Sequence, residues 1–171
     1  MQLNQLSNQV LDEVDMKILV HLQSDASISN AELAKQIGLS PSACLGRTKR
    51  LKQSGVIKQY VTLVDERQVG LHVITYVFVS LTPHDRQTTE AFLDHVREIP
   101  NIMECHNISG VHDYLLKIIA TSIKDYRDFI IDTLIEVPGV DKVETSVVLS
   151  TEKLIHQLPM EAGFFSDDPA K

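Results

Sequence analysis

Cysteine is scarce: Cys44 and Cys105 are the two in 171 residues, and no CxxC pair occurs. That argues against a disulfide framework or a cysteine-based metal knuckle, and both thiols are read as buried and reduced, as in an intracellular protein. No run of residues is apolar enough to span a bilayer, and the start of the chain lacks the charged-then-apolar order of a signal peptide. The reading is a cytoplasmic protein with no membrane partner. Acidic side chains are missing from one long stretch. Lys35, Arg47, Lys49, Arg50, Lys52 and Lys58 follow one another with no Asp or Glu between them, in a chain of net charge −7.

The charge is divided unevenly. Residues 1–64 carry seven Lys and Arg against five Asp and Glu, net +2, and residues 65–171 carry nine against eighteen, net −9. An acidic half of that strength does not bind nucleic acid by bulk electrostatics, so the two halves are expected to have different partners.

Residues 29–55 hold the sharpest local pattern. Ser29 or Asn30 can cap a helix in which Leu33, Ala34 and Ile37 share one face. Gly38 ends it, because glycine enters the left-handed region without a Cβ penalty, and Leu39 turns back to the core. Ser40 then caps a second helix with Pro41 at its first position. On that helix Cys44, Thr48 and Leu51 form the inward stripe at about 100° per residue, and Ser42, Gly46, Lys49, Arg50 and Gln53 face outward, with Arg47 at a border.

A solvated polar face would explain the charges alone. The order of caps, glycine turn and basic helix favours a helix-turn-helix whose second helix enters the major groove of double-stranded DNA. The candidate DNA contacts are Ser40, Ser42, Arg47, Lys49 and Arg50. Ser40 and the helix N-terminus are expected on phosphate, and Arg47 and Arg50 on base edges.

Residues 1–9 are polar and expected to fray. Leu11, Val14, Ile18, Leu19 and Leu22 predict a first helix over residues 11–23. After Gly55, the β-branched run over residues 56–64 predicts a strand or wing, and residues 65–70 a hinge. The second half alternates strand 73–81, helix 88–99, strand 102–108, strand 114–120, helix 123–137 and strand 140–149. That is the split βαβ order of ferredoxin-like folds. An internal echo agrees: Glu98-Ile99-Pro100-Asn101-Ile102 matches Glu136-Val137-Pro138-Gly139-Val140 at a spacing of 38 residues. The expected fold class is α+β, with a winged helix-turn-helix domain over residues 1–64 and a ferredoxin-like βαββαβ domain over residues 65–171. An open sheet with helices on one face needs a cover for the other, so a homodimer is expected, with tetramers or octamers as larger groupings.

One set of residues runs through both halves. In the first it is Leu11-Asp12 with Asp15, Ile18-Leu19, Glu32-Leu33-Ala34, Gly38-Leu39-Ser40, Cys44-Leu45, Arg47, Arg50-Leu51, Gly55-Val56-Ile57 and Tyr60. In the second it is Gly110, Asp113-Tyr114-Leu115-Leu116, Tyr126, Pro138-Gly139-Val140 and Thr145. In these residues the chain resembles the Lrp/AsnC, or feast/famine, regulators. Gly46 stands where that family usually has a larger polar residue, and Thr48 where it prefers an apolar one.

The resemblance implies a transcriptional regulator that senses a small-molecule effector, most simply a free amino acid. It points to Gly110, Val111, His112, Asp113 and Tyr114 of one subunit, with Thr145, Ser146 and Val147 of the last strand of a neighbouring subunit. Gly110 lets backbone approach a ligand, loop N–H groups can hold a carboxylate, and Asp113 can accept from an ammonium group. Ile108, Val111 and Val147 favour an apolar side chain. The alternative for this segment is a plain hairpin in which Asp113 serves the turn.

Two other classes stand beside this one. Glu104, His106, His112 and Asp113 could form an acid–base or metal cluster, and some tetrapyrrole decarboxylases share the two-part build. The basic helix has no use in such an enzyme. An architectural DNA-bending protein without an effector is the third reading. No catalytic residue, metal or cofactor is assigned.

Overall fold

The computed structural model describes residues 11–160. The expectations for residues 1–9, and for the second domain beyond residue 160, lie outside them. The described residues form two compact units, one built from residues 11–62 together with 153–160, the other from residues 63–152.

The first unit holds three helices, α1 (Glu13–Ser24), α2 (Asn30–Ile37) and α3 (Pro41–Gln53). Each starts at a side-chain cap: Asp12 for α1, Ser29 for α2 and Ser40 for α3. Such caps satisfy backbone N–H groups that have no partner inside a helix. Ile18, Leu19, Leu33, Ala34, Cys44 and Leu51 make the shared core, so the apolar spacing of the sequence maps onto one interior. Residues 56–64 form no strand. β-branched composition favours extended chain but does not supply a partner for its hydrogen bonds, and no strand of this unit is present among the described residues to pair with it.

The chain returns to this unit near its end. Gln23 Oε1 accepts from Leu158 N–H at 2.7 Å, Gln157 Nε2 donates to Gln23 O at 3.2 Å, and Met160 packs against the three-helix core.

In the second unit, the segment expected as a hinge is a short 3₁₀ helix, Glu66–Val69. Asp65 caps it by accepting from Arg67 and Gln68 N–H. Then come β1 (Val73–Leu81), α4 (Arg86–Glu98), β2 (Ile102–Asn107), β3 (Tyr114–Ala120), α5 (Ile123–Phe129), a π-helical turn (Ile130–Leu134) and β4 (Val140–Val147). The four strands pair antiparallel in the order β2-β3-β1-β4, the expected βαββαβ arrangement.

Alternation along β1 sets the two faces. Thr75, Val77, Val79 and Leu81 are buried under the helices, with Phe92 and Val96 of α4, Leu116 and Ile118 of β3, and Leu134. Tyr76, Phe78 and Ser80 point to the opposite, helix-free face. At the start of β4, Gly139 has φ 87°, and a Cβ there would overlap the methyl of Thr88 in α4. The positive φ favours glycine at that turn, and any Cβ would also make the Thr88 side chain shift.

Candidate nucleic-acid interface and effector loop

The turn between α2 and α3 is fixed by backbone. Gly38 has φ 74°, its N–H reaches Lys35 O, and Leu39 N–H donates to Ala34 O at 2.9 Å. Asn30 Nδ2 donates to Pro41 O at 2.8 Å and so ties the start of α2 to the start of α3. At the N-terminus of α3, Ser40 Oγ accepts from Ala43 N–H at 3.3 Å and lies 3.2 Å from Ser42 Oγ. Thr48 turns inward and donates to Cys44 O at 3.0 Å, which satisfies its hydroxyl where an apolar residue would need no partner.

The two arginines expected on base edges are engaged by α1. Arg47 Nη1 lies 2.6 Å from Asp12 Oδ2 and 3.0 Å from Asp15 Oδ1, and Arg50 Nη2 donates to Asp15 Oδ2. Asp15 is 1 % exposed. Asp12 and Asp15 are also the two halves of the capping box that starts α1, each carboxylate facing the other's backbone N–H. The Arg47 hydrogen bond, helped by the Asp15 N–H, holds the Asp12 carboxyl below its ordinary range, and the same pair raises Arg47. Sequence reasoning missed this clamp, although the acid three residues after the Asp12 cap was a legible sign of the box.

Ser42, Lys49 and Arg50 are exposed on the outward side of α3, and Lys49 makes no ion pair among the described residues. Lys52 sits over the Tyr60 ring at 5.4 Å.

In the second unit, the loop between β2 and β3 divides the predicted effector residues. Gly110 has φ 135° and Val111 is 89 % exposed, so the tip stands open. Asp113 serves the hairpin: Oδ2 accepts from Leu81 N–H at 2.8 Å, its own N–H donates to Val79 O, and its carbonyl accepts from Ile108 N–H and Asn107 Nδ2. Tyr114 is a core residue whose ring lies 4.9 Å from that of Phe92. His112 turns to the helix-free face, with Nδ1 3.1 Å from Ser80 Oγ, Nε2 3.6 Å from Glu144 and its ring against Phe78. The loop thus approaches β4 at Glu144, one residue before the predicted stretch.

Within that stretch Thr145 meets Tyr126 Oη at 2.5 Å on the helix side, and Ser146 lies opposite Tyr76 on the other. Val147 is 43 % exposed. Ser80 and Glu144 were missed, and the polar residues among apolar neighbours in β1 and β4 were the available signal.

Glu104 pairs with His106 at 3.1 Å and Lys117 at 3.0 Å, and these two neighbours hold its carboxyl low. A separate groove of about 480 Å³ runs between α4 and the π-helical turn, lined by Asp94, His95, Glu98, Ile99, Asp132, Thr133, Glu136 and Val137. It contains none of the predicted effector residues. No helix of the described residues is long and apolar enough to cross a membrane.

Comparison with known proteins gives matches for both units. Residues 11–58 match the family described as winged helix-turn-helix DNA-binding, and residues 74–157 the Lrp/AsnC ligand binding domain. The chain is 47 % identical to the transcriptional regulator AzlB of Bacillus subtilis, covering 89 % of this chain and 97 % of that protein. It is 37 % identical to the leucine-responsive regulatory protein of Escherichia coli, covering 86 % and 90 %. A transcriptional regulator of Neisseria meningitidis, solved as its L-Met complex, superposes with a TM-score of 0.85 at 34 % identity, covering 88 % of this chain and 97 % of that one. These relatives are regulators, not enzymes.

Proposed function

The chain belongs to the Lrp/AsnC family of DNA-binding transcriptional regulators, with a helix-turn-helix for DNA and a ligand-binding domain, and from that premise we propose that its effector is a free amino acid. The observation that carries this is the open loop tip at Gly110 and Val111, beside the likeness to a regulator solved with L-Met. Loop N–H groups receive the ligand carboxylate, His112 lines the helix-free side of the loop, and Ser146 and Val147 of a neighbouring subunit's last strand face it, while Thr145, bonded to Tyr126, holds that strand. Asp113 and Tyr114 act on the ligand indirectly, by holding the hairpin. Apolar Val111 and Val147 favour a ligand such as leucine or methionine over lysine or aspartate.

Thermal shift against the twenty amino acids tests the reading. The expected result is stabilisation by one or a few apolar amino acids, since a ligand that binds the native state alone raises stability by mass action. His112→Ala and Val147→Asp should each weaken that response with the fold retained. Unchanged titration curves for both variants would place the ligand elsewhere, and the groove beside Glu98 and Glu136 would be the next region to probe.

On DNA, Ser40, Ser42 and Lys49 take phosphate. Arg50, 44 % exposed along its side chain, reaches base edges while anchored to Asp15, and Arg47 orients the helix. The assembly is a homodimer through the helix-free sheet face, where Tyr76 is 37 % and Met103 58 % exposed, with dimers grouping further into tetramers or octamers. A dimer presents two recognition helices to half-sites about one helical turn apart. A ligand that contacts one assembly state better than another shifts the distribution between them. Light scattering with and without the stabilising amino acid should show a dimer or larger species throughout and a change in its size distribution. A monomer at micromolar concentration would refute the assembly.

A further inference from the structure

Gly46 lies in the middle of α3, and two ordinary reasons for a glycine are absent there. Its φ is not among the positive values of the chain, so the backbone conformation is one any residue adopts. A Cβ built on it meets nothing within 4 Å, so no neighbour requires the space. In a helix interior glycine is less stable than alanine or glutamine, because it restricts the unfolded chain least. The fold therefore loses stability at this position and gains no contact.

The position is on the outward surface. Its helical neighbours are Ser42 and Ala43 one turn before and Lys49 and Arg50 one turn after, all exposed. The guanidinium groups of Arg47 and Arg50 are drawn toward Asp12 and Asp15. What remains at Gly46 is a notch formed by its own Cα and the Ala43 methyl. That floor has no donor or acceptor, and Ser42 and Lys49 stand at its sides.

Resting on the DNA-binding reading of α3, we infer that Gly46 is a specificity-determining position that admits the 5-methyl group of a thymine. Of the groups displayed in the major groove, the thymine methyl is the apolar one, and apolar protein contacts select it. A longer side chain at position 46 would fill the notch and take the place of the methyl group, so the base read there would change. Each half-site then carries a T·A pair opposite Gly46.

The test is selection from random-sequence duplexes by the full chain, by Gly46→Ala and by Gly46→Gln, followed by replacing single thymines with uracil in the enriched sequence. The parent should show one T·A position per half-site where loss of the methyl weakens binding about 3- to 10-fold. Gly46→Gln should lose that discrimination and change the base preferred there, with the rest of the motif retained and a melting temperature equal to or above the parent's. An unchanged motif and affinity for Gly46→Gln would overturn the inference, and so would a lowered melting temperature in both variants, which would make the glycine a requirement of the fold. Enrichment of no motif by the parent would instead overturn the DNA reading of α3 on which the inference stands.

Discussion

A carboxylate sealed from water is stable only where donors surround it, and Asp15 has the Arg47 and Arg50 guanidinium groups and the Asp12 N–H. Asp15→Asn removes the charge from both ion-paired hydrogen bonds and should destabilise the helical unit by about 1.5 to 3 kcal/mol, read by urea denaturation. A double-mutant cycle separates the roles of Arg50. In the Asp15→Asn background Arg50→Ala should cost little further stability, yet it should still weaken operator binding if the guanidinium also touches DNA. Full recovery of DNA affinity in that background would reduce Arg50 to a brace. The pH dependence follows from Asp12, whose carboxyl is held below the ordinary 3.8 by Arg47. A depressed folded value contributes stability above the unfolded value and loses it as pH falls through the folded one, so the helical unit should weaken progressively below about pH 4. Thermal melting of Asp12→Asn should show a smaller loss over the same acid range.

Among the elements, β1 and β3 run over the residues their alternation predicted, because period-two burial under one helix layer leaves no freedom of register. The last helix was less legible. Its apolar spacing continues to Val137, but the α-helical bonding stops at Phe129 and a π-helical turn follows, and spacing alone does not distinguish the two hydrogen-bond patterns. Residues 56–64 misled for another reason: strand propensity is expressed only against a partner. The candidate site was legible in part. Caps, turn and basic face were written locally in residues 29–55, whereas the clamp joins residues 32 and 35 positions apart and no local pattern reports it. At the β4 turn, Gly139→Ala combines left-handed backbone strain of about 1 to 2 kcal/mol with the Thr88 overlap, and should destabilise the sheet unit by at least that amount in denaturant. Tyr126→Phe removes the bond to Thr145, and a loss of about 1 kcal/mol is expected. Burial pushes the Tyr126 phenol up, so its contribution is complete below the ordinary 10.0 and is lost as pH rises through the higher folded value. The alkaline melting limb of Tyr126→Phe should accordingly be flatter than the parent's.

Across the whole molecule, the helical unit is discontinuous in sequence, since residues 153–160 rejoin it after the sheet unit is complete. A chain ending at Glu152 should keep the sheet unit intact and lower the stability of the helices by about 1 to 2 kcal/mol, through loss of the Gln23 hydrogen bonds and the Met160 contact. Amide exchange along α1 would report it, with faster exchange confined to that helix and its neighbours. A genetic map drawn along the gene would misassign such a lesion. A nonsense or frameshift mutation in the codons after 152 falls at the ligand-domain end of the reading frame, yet its phenotype should be that of a weakened operator binder, grouping with alleles in α1 and not with alleles in the β2–β3 loop.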